Sequence, residues 1–199
     1  MYKRQILPGV VLSLEGQAGY IQGWGGDPVR INDRFFKGSN DFRGFDNAGV
    51  GPRLISRLPV SEPGGTIGIE VTDPETGELI TQDFRNRSLG GNAFALAIAE
   101  LSFPVGIPQL EAALFAEAGT VGLLDDEFLG DLDDPTVASP DNNVTGFFVE
   151  DALAPRVTVG ASVYWESPFG PIRFDFTKPI VQQEFDDRES FQFTTSTRF

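Results

Sequence analysis

The stretch Arg156-Val-Thr-Val-Gly-Ala-Ser-Val-Tyr-Trp165 decides the fold, because apolar and polar or small residues alternate along it. After a turn at Ser167-Pro-Phe-Gly-Pro171, the segment Ile172-Arg-Phe-Asp-Phe-Thr177 repeats the alternation, with charged residues on one parity. Period-two alternation is typical of a strand with one apolar and one polar face. The two segments therefore predict an antiparallel hairpin in a sheet whose one side is wet and whose other side is apolar.

Two further segments carry the same pattern. Val10 to Ile21 alternates for most of its length, and Phe191-Gln-Phe-Thr-Thr-Ser-Thr-Arg-Phe199 places Phe191, Phe193 and Phe199 on one parity. Residues 93–101 and 110–118 are ambiguous, because their Ala, Leu and Glu residues are good helix formers while small alternating residues also suit a barrel wall. With both counted as strands, the sequence predicts six strands in all.

The composition excludes several classes of function. The 199 residues include 15 Lys and Arg against 29 Asp and Glu, a net charge of −14, which disfavours a nucleic-acid partner. The chain has no Cys and no His, so it has no disulfides, no Cys/His zinc site and no Ser-His-Asp triad. We therefore expect no catalytic residues, no metal and no cofactor. No apolar run approaches the roughly 18 residues of a spanning helix, whereas a barrel strand needs only about ten alternating residues.

The remaining segments are polar and rich in turns. Residues from about 23 to 88 predict one long external loop, and residues from about 124 to 151 predict a second, acidic loop. The acidic loop lacks the spacing of an EF-hand, so we expect a solvated surface loop. Residues 1–5, Met-Tyr-Lys-Arg-Gln, do not begin a signal peptide. We expect them to be a non-native scar and the true start of the protein to lie upstream.

Four motifs occur in an order that points to one family. They are Arg34-Phe-Phe-Lys-Gly-Ser-Asn-Asp-Phe-Arg43-Gly44-Phe45 with Ala48-Gly-Val-Gly-Pro52-Arg53, then Leu89-Gly-Gly-Asn-Ala93 through Glu100-Leu-Ser-Phe-Pro104, then Trp165-Glu-Ser-Pro-Phe-Gly-Pro-Ile-Arg-Phe-Asp175, and finally Phe191 to Phe199. Together they resemble the C-terminal part of the bacterial surface antigen superfamily, which includes BamA-type and TamA-type proteins. The family's Arg-Gly-Phe core usually follows Val, and here it follows Phe42.

The resemblance implies a fold and a set of functional residues. The fold is an antiparallel transmembrane β-barrel of sixteen strands, preceded by POTRA repeats, and this chain would hold its last six strands. Within the barrel, the motif Arg43, Gly44 and Phe45 would fold back into the lumen, where Arg43 pairs with Glu100 and Glu117. Arg suits that role because its planar fork matches carboxylates bidentately. The barrel of this family can open at a lateral seam between its first and its last strand. Phe191, Phe193 and Phe199 would form the last strand's side of that seam, and also the C-terminal signal by which a barrel is itself inserted.

The resemblance also implies a function in the outer membrane of a Gram-negative-type bacterium. A BamA-type barrel folds and inserts other barrel proteins and performs no covalent chemistry. Its partners would be unfolded outer-membrane proteins, outer-membrane lipids and accessory lipoproteins bound through POTRA repeats. The alternatives are a TamA-like or two-partner-secretion translocation barrel, the export tail of a patatin-like lipase, and a soluble α+β binding domain in which residues 93–118 form helices. An alternative interpretation makes Glu100 and Glu117 the general acid/base pair of a glycosidase, but nothing else in the sequence supports that activity.

Overall fold

The computed structural model describes residues 1–25, 27, 29–57, 67–72, 79–124, 146–149, 151, 153–168 and 170–195. Within these residues the chain forms one short 3-10 helix, Ile31–Asp33, and eleven β-strands. The strands are β1 Tyr2–Leu7, β2 Val10–Tyr20, β3 Arg53–Arg57, β4 Ile67–Thr72, β5 Leu79–Ser88, β6 Ala93–Pro104, β7 Leu110–Gly122, β8 Gly146–Val149, β9 Arg156–Ser167, β10 Gly170–Val181 and β11 Phe191–Thr195.

Seven strands form one antiparallel sheet in the order β1-β2-β6-β7-β9-β10-β11. Six of them are the strands that alternation predicts, and the all-β antiparallel fold is confirmed. The predicted hairpin of β9 and β10 pairs Trp165 with Ile172 and Val163 with Phe174, so apolar residues share one face. The seventh strand, β1, consists of residues 2–7 paired with β2. The origin of residues 1–5 stays a prediction.

The two ambiguous segments are strands. Ala93–Pro104 and Leu110–Gly122 pair with each other over twelve consecutive positions, and β6 also pairs with β2 over ten. Ladder hydrogen bonds on both edges override a helical propensity that amounts to tenths of a kcal/mol per residue. The soluble α+β interpretation is therefore wrong. Among the described residues, no helix is long and apolar enough to cross a membrane.

A second sheet lies inside the segments predicted as loops. β3, β4 and β5 fall within residues 23–88, and with β8, from the acidic segment, they form a sheet in the order β4-β5-β3-β8. Ile67-Gly-Ile-Glu-Val-Thr72 has the period-two pattern of a strand, but the surrounding prolines and polar residues favoured a loop. Residues 125–145 of the predicted acidic loop lie outside the described residues.

The two faces of the main sheet differ sharply. One face, called the inner face below, is covered by the inner loop (residues 34–52). Between them lies a buried apolar cluster of Phe42, Phe45, Val50, Leu96 and Val121. The opposite, outer face exposes large apolar side chains on successive strands, including Leu14, Leu114, Val159, Phe176 and Phe193. Large apolar side chains exposed along the outer face match the lipid-facing wall of a membrane barrel.

Candidate functional site

The inner loop is fixed to the sheet and to the β10–β11 turn by backbone hydrogen bonds. Phe35 pairs with Gly91 before β6, and Phe45 pairs with Arg188 in the β10–β11 turn. The N–H of Asp46 donates to the carbonyl of Asp187 at 2.9 Å, and the N–H of Asp187 donates to that of Gly49 at 3.0 Å. These contacts bring the middle of the loop onto the inner face.

Arg43 lies at the centre of the resulting contact. Its Nε donates to Glu117 Oε1 at 2.5 Å, and its backbone N–H donates to Glu117 Oε2 at 2.9 Å. Its Nη1 donates to Glu100 Oε2 at 2.8 Å. Glu100 is on β6 and Glu117 on β7, so one side chain of the loop joins two neighbouring strands. The structure thus brings together the three residues that the resemblance singles out.

Four further residues complete the polar cluster around Arg43. Ser162 Oγ accepts from Arg43 Nη1 at 3.1 Å and donates to Asp175 Oδ1 at 2.5 Å. Asp175 Oδ1 lies 3.6 Å from Arg43 Nη1, and its other oxygen accepts from Arg173 Nε at 2.7 Å. The Tyr164 hydroxyl donates to Glu100 at 3.0 Å. The network therefore spans four adjacent strands, β6, β7, β9 and β10.

The cluster holds three carboxylates and two guanidinium groups at close range, and most of these charges are withdrawn from water. The side chains of Arg43, Glu117 and Asp175 are 5%, 1% and 0% exposed, whereas Glu100 keeps 19% exposure. Burial alone lowers the pKa of the Arg43 guanidinium, but the charges and hydrogen bonds of Glu117 and Glu100 outweigh it and raise that pKa. The guanidinium therefore stays charged and offers a rigid set of donors to its carboxylate partners. Its carbon also lies 3.5 Å from the centre of the Phe115 ring, a cation–π contact.

The two residues after Arg43 explain why the motif continues with Gly and Phe. Gly44 has φ +95°, and a Cβ there would lie 2.8 Å from Thr158 Cγ2. Phe45 is fully buried, and its ring meets that of Phe42 edge-on with centroids 5.0 Å apart. Phe42, the departure from the family's usual Val, is thus part of the buried cluster that seats the loop.

Gly44→Ala should weaken the attachment of the inner loop to the sheet. The substitution adds both a positive-φ strain of roughly 1–3 kcal/mol and a clash with Thr158. We expect faster protease cleavage of the inner loop in the full-length protein. Adding Thr158→Ser removes the clashing methyl group and should restore part of the protection. If Gly44→Ala is cleaved no faster than the parent, the tight approach of loop and wall is contradicted.

A second buried ion cluster ties the β10–β11 turn to the start of β9. Arg156, 1% exposed, donates to both carboxylate oxygens of Asp186 at 2.9 and 2.8 Å and also pairs with Asp151. Nearby, Arg53 bonds Asn86 at 3.0 Å and Asp187 at 2.9 Å. The turn that contacts the inner loop is therefore itself anchored by two arginines.

The sequence prediction did not include Ser162, Tyr164, Asp175 or the Arg156 cluster. Alternation alone places all three of the first group on the polar parity of β9 and β10. Alternation does not give the register between strands. The register is what places these residues side by side next to Arg43. Of the three seam residues, Phe191 and Phe193 lie exposed on the outer face of β11, and Phe199 lies outside the described residues.

Comparison with known proteins identifies relatives of the chain. The model of the Omp85 superfamily domain matches residues 4–199. The outer membrane protein assembly factor BamA of Neorickettsia risticii is 34% identical over 186 residues, covering 92% of this chain and 19% of that protein. BamA of Neisseria meningitidis serogroup B is 30% identical over 151 residues, covering 68% of this chain and 17% of that protein.

A solved structure has the same fold. A crystal structure of BamA from Haemophilus ducreyi lacking POTRA domains 1–3 superposes with a TM-score of 0.61 at 21% identity, over 93% of this chain and 31% of that one. The chain therefore spans less than a fifth of the length of the two curated relatives, and about a third of the solved chain.

Proposed function

The chain belongs to the Omp85 superfamily, and from that premise we propose that it is the C-terminal part of a barrel that folds other barrel proteins and inserts them into the outer membrane. Its location in the outer membrane follows from the family and from the all-β fold. Both curated relatives carry the name of an assembly factor, which favours assembly over protein translocation or the export of an attached lipase.

The observation that carries the proposal is the edge of β11. This strand pairs with β10 and lies at one edge of the sheet that the described residues form. The chain spans less than a fifth of its curated relatives, so the strand that would adjoin β11 in a closed barrel belongs to the full-length protein outside this chain. Where the seam between these two strands opens, the edge of β11 presents unpaired N–H and C=O groups, which a partner strand can join by main-chain hydrogen bonds. We propose that the partner is a strand of an unfolded outer-membrane protein, with Phe191 and Phe193 on the side of the seam that faces lipid. Phe199 belongs to the same predicted seam and lies outside the described residues.

The inner loop has a supporting role in this proposal. Arg43, Glu100 and Glu117 hold the loop against β6 and β7, so that the wall stays ordered while the seam is open. The work consists of binding and orienting strands, and it requires neither a catalytic residue nor a cofactor. Accessory lipoproteins would act through POTRA repeats elsewhere in the full-length protein, and nucleic acid has no part in it.

The test is reconstitution of the full-length protein in liposomes with a urea-unfolded outer-membrane protein as client. We expect the client to fold several-fold faster than in liposomes that hold an equal mass of an unrelated barrel, as followed by the gel shift of the folded client. Equal rates in the two preparations would contradict the proposed function.

A further inference from the structure

Two polar side chains of β11 contact the inner loop. Gln192, 4% exposed, uses Nε2 to donate to the carbonyl of Phe45 and to Glu189 Oε2, both at 3.0 Å. Thr194 Oγ1 donates to Asn40 Oδ1 at 2.6 Å. Both side chains lie on the inner face, whereas Phe191 and Phe193 lie on the outer face. The last strand is therefore attached to the loop through its inner face.

These contacts matter because β11 lies at an edge of the described sheet. Among the described residues, its ladder with β10 covers five residue pairs, compared with twelve between β6 and β7. A strand at a sheet edge is among the least stable parts of a fold, so a second attachment changes its opening equilibrium strongly. The loop provides that attachment at two places along the strand, the carbonyl of Phe45 and the side chain of Asn40.

Gln192 attaches β11 to the inner loop through its Nε2 donor group and not through its Oε1 acceptor. The carbonyl of Phe45 also accepts from the N–H of Ser39 at 2.7 Å, so it keeps a partner when Gln192 is replaced. Gln192 Oε1 is buried without a hydrogen-bond partner among the described residues, which is a cost that a leucine would not carry. Gln192→Leu therefore cuts the link between loop and strand without leaving a new unsatisfied group in the loop.

We infer that Gln192 and Thr194 are positioning residues. They couple the attachment of the inner loop to the inner face of the sheet with the order of β11. The edge of β11 then stays an ordered, extended strand that can pair with another strand only while the inner loop is bound to the inner face. Coupling of this kind is reciprocal, so unseating the loop loosens β11 and freeing β11 loosens the loop. The step from an ordered edge to client folding rests on the proposed function, whereas the coupling itself does not.

Hydrogen exchange of the full-length protein in liposomes, without client, tests the coupling. We expect Gln192→Leu and Thr194→Val each to raise amide exchange in the inner loop by roughly fivefold, the effect of losing one or two hydrogen bonds, and the double variant to raise it more. Arg43→Ala should raise exchange in β11. The matched control is Thr195→Val, an exposed position on the outer face of the same strand, which should leave the loop unchanged.

Unchanged loop exchange in the double variant would overturn the inference, as would Arg43→Ala that frees the loop but leaves β11 protected. The client-folding rate of the unmodified protein is measured separately. If that rate is no faster than the control but exchange is coupled, the proposed function fails and the coupling stands. If the client folds fast while loop and strand exchange independently, only the coupling fails.

Discussion

Arg43→Ala in the full-length protein is expected to lower the free energy of unfolding by about 3–5 kcal/mol, the cost of removing one partner from a buried ion network. The reason is the burial of what remains, because Glu117 and Asp175 have side-chain exposures of 1% and 0%. Without the guanidinium, Glu117 loses the cation with which it pairs, whereas Asp175 keeps Arg173 at 2.7 Å. Urea titration of the protein in liposomes measures the effect, and proteinase K cleavage of the inner loop should accelerate in parallel.

The control for this prediction is Arg30→Ala, which removes an exposed arginine a few residues before the inner loop. Exposed charges contribute about 0–1 kcal/mol, so stability and cleavage should match the parent. Arg43→Lys should lie between the two, because an ammonium cannot bond Glu100 and Glu117 with the geometry of the guanidinium fork. An Arg43→Ala protein as stable and as protease-resistant as the Arg30→Ala protein would contradict the central role of Arg43.

Arg156→Ala is expected to have an effect of similar size at the other buried cluster. Asp186 and Asp151 are 9% and 4% exposed and both face Arg156, so its removal leaves two buried carboxylates without their cation, at about 3–5 kcal/mol. The β10–β11 turn should detach from the start of β9. Hydrogen exchange of residues 182–187 should therefore rise more than exchange in β6 and β7.

Arg188→Ala provides the matched control, because Arg188 lies in the same turn with an exposed side chain. Its exchange pattern should resemble that of the parent protein. If Arg156→Ala and Arg188→Ala change the turn equally, the anchoring of the turn by the buried ion cluster is refuted.

The strands of the main sheet could be predicted because one face of each is apolar. Val157 to Trp165 and Ile172 to Phe176 alternate without interruption, and the structure pairs them as a hairpin. β6 and β7 were harder, since Ala and Leu satisfy a helix as well as a strand. Pairing with neighbours decided their conformation, and pairing is a tertiary property that a local pattern does not contain.

The second sheet was missed for a related reason. β3 and β8 are short, and they come from segments more than 80 residues apart, so neither shows its partner in the sequence. Prolines and acidic residues around them favoured loops. Long-range pairing of short strands leaves almost no local signal, in contrast to the outer face of the barrel wall, where lipid requires an apolar residue at every second position.

The candidate site likewise contains residues that the sequence identified and residues that only the structure identified. Arg43, Glu100 and Glu117 came from a family resemblance, and the structure places both carboxylates within hydrogen-bonding distance of Arg43. Their role in function stays a prediction. Ser162 lies outside the four motifs, and Asp175 ends the third of them without an assigned role. Only the register of β9 against β10, which pairs these two residues, identifies them as part of the network.

Disulfide cross-linking to a client arrested during folding tests the central claim most directly, namely that a client strand joins the edge of β11. The chain contains no cysteine, so a single cysteine can be placed in this part of the full-length protein after any cysteines elsewhere in it have been replaced. Phe193→Cys and Leu114→Cys form a matched pair, because both side chains are 55% exposed on the outer face. Phe193 is on the free-edged β11, and Leu114 is on β7, which is paired on both sides. We predict a cross-link to a cysteine in the client's terminal strand from position 193 and none from position 114. Equal cross-linking from both positions, or cross-linking from position 114 alone, would contradict the account.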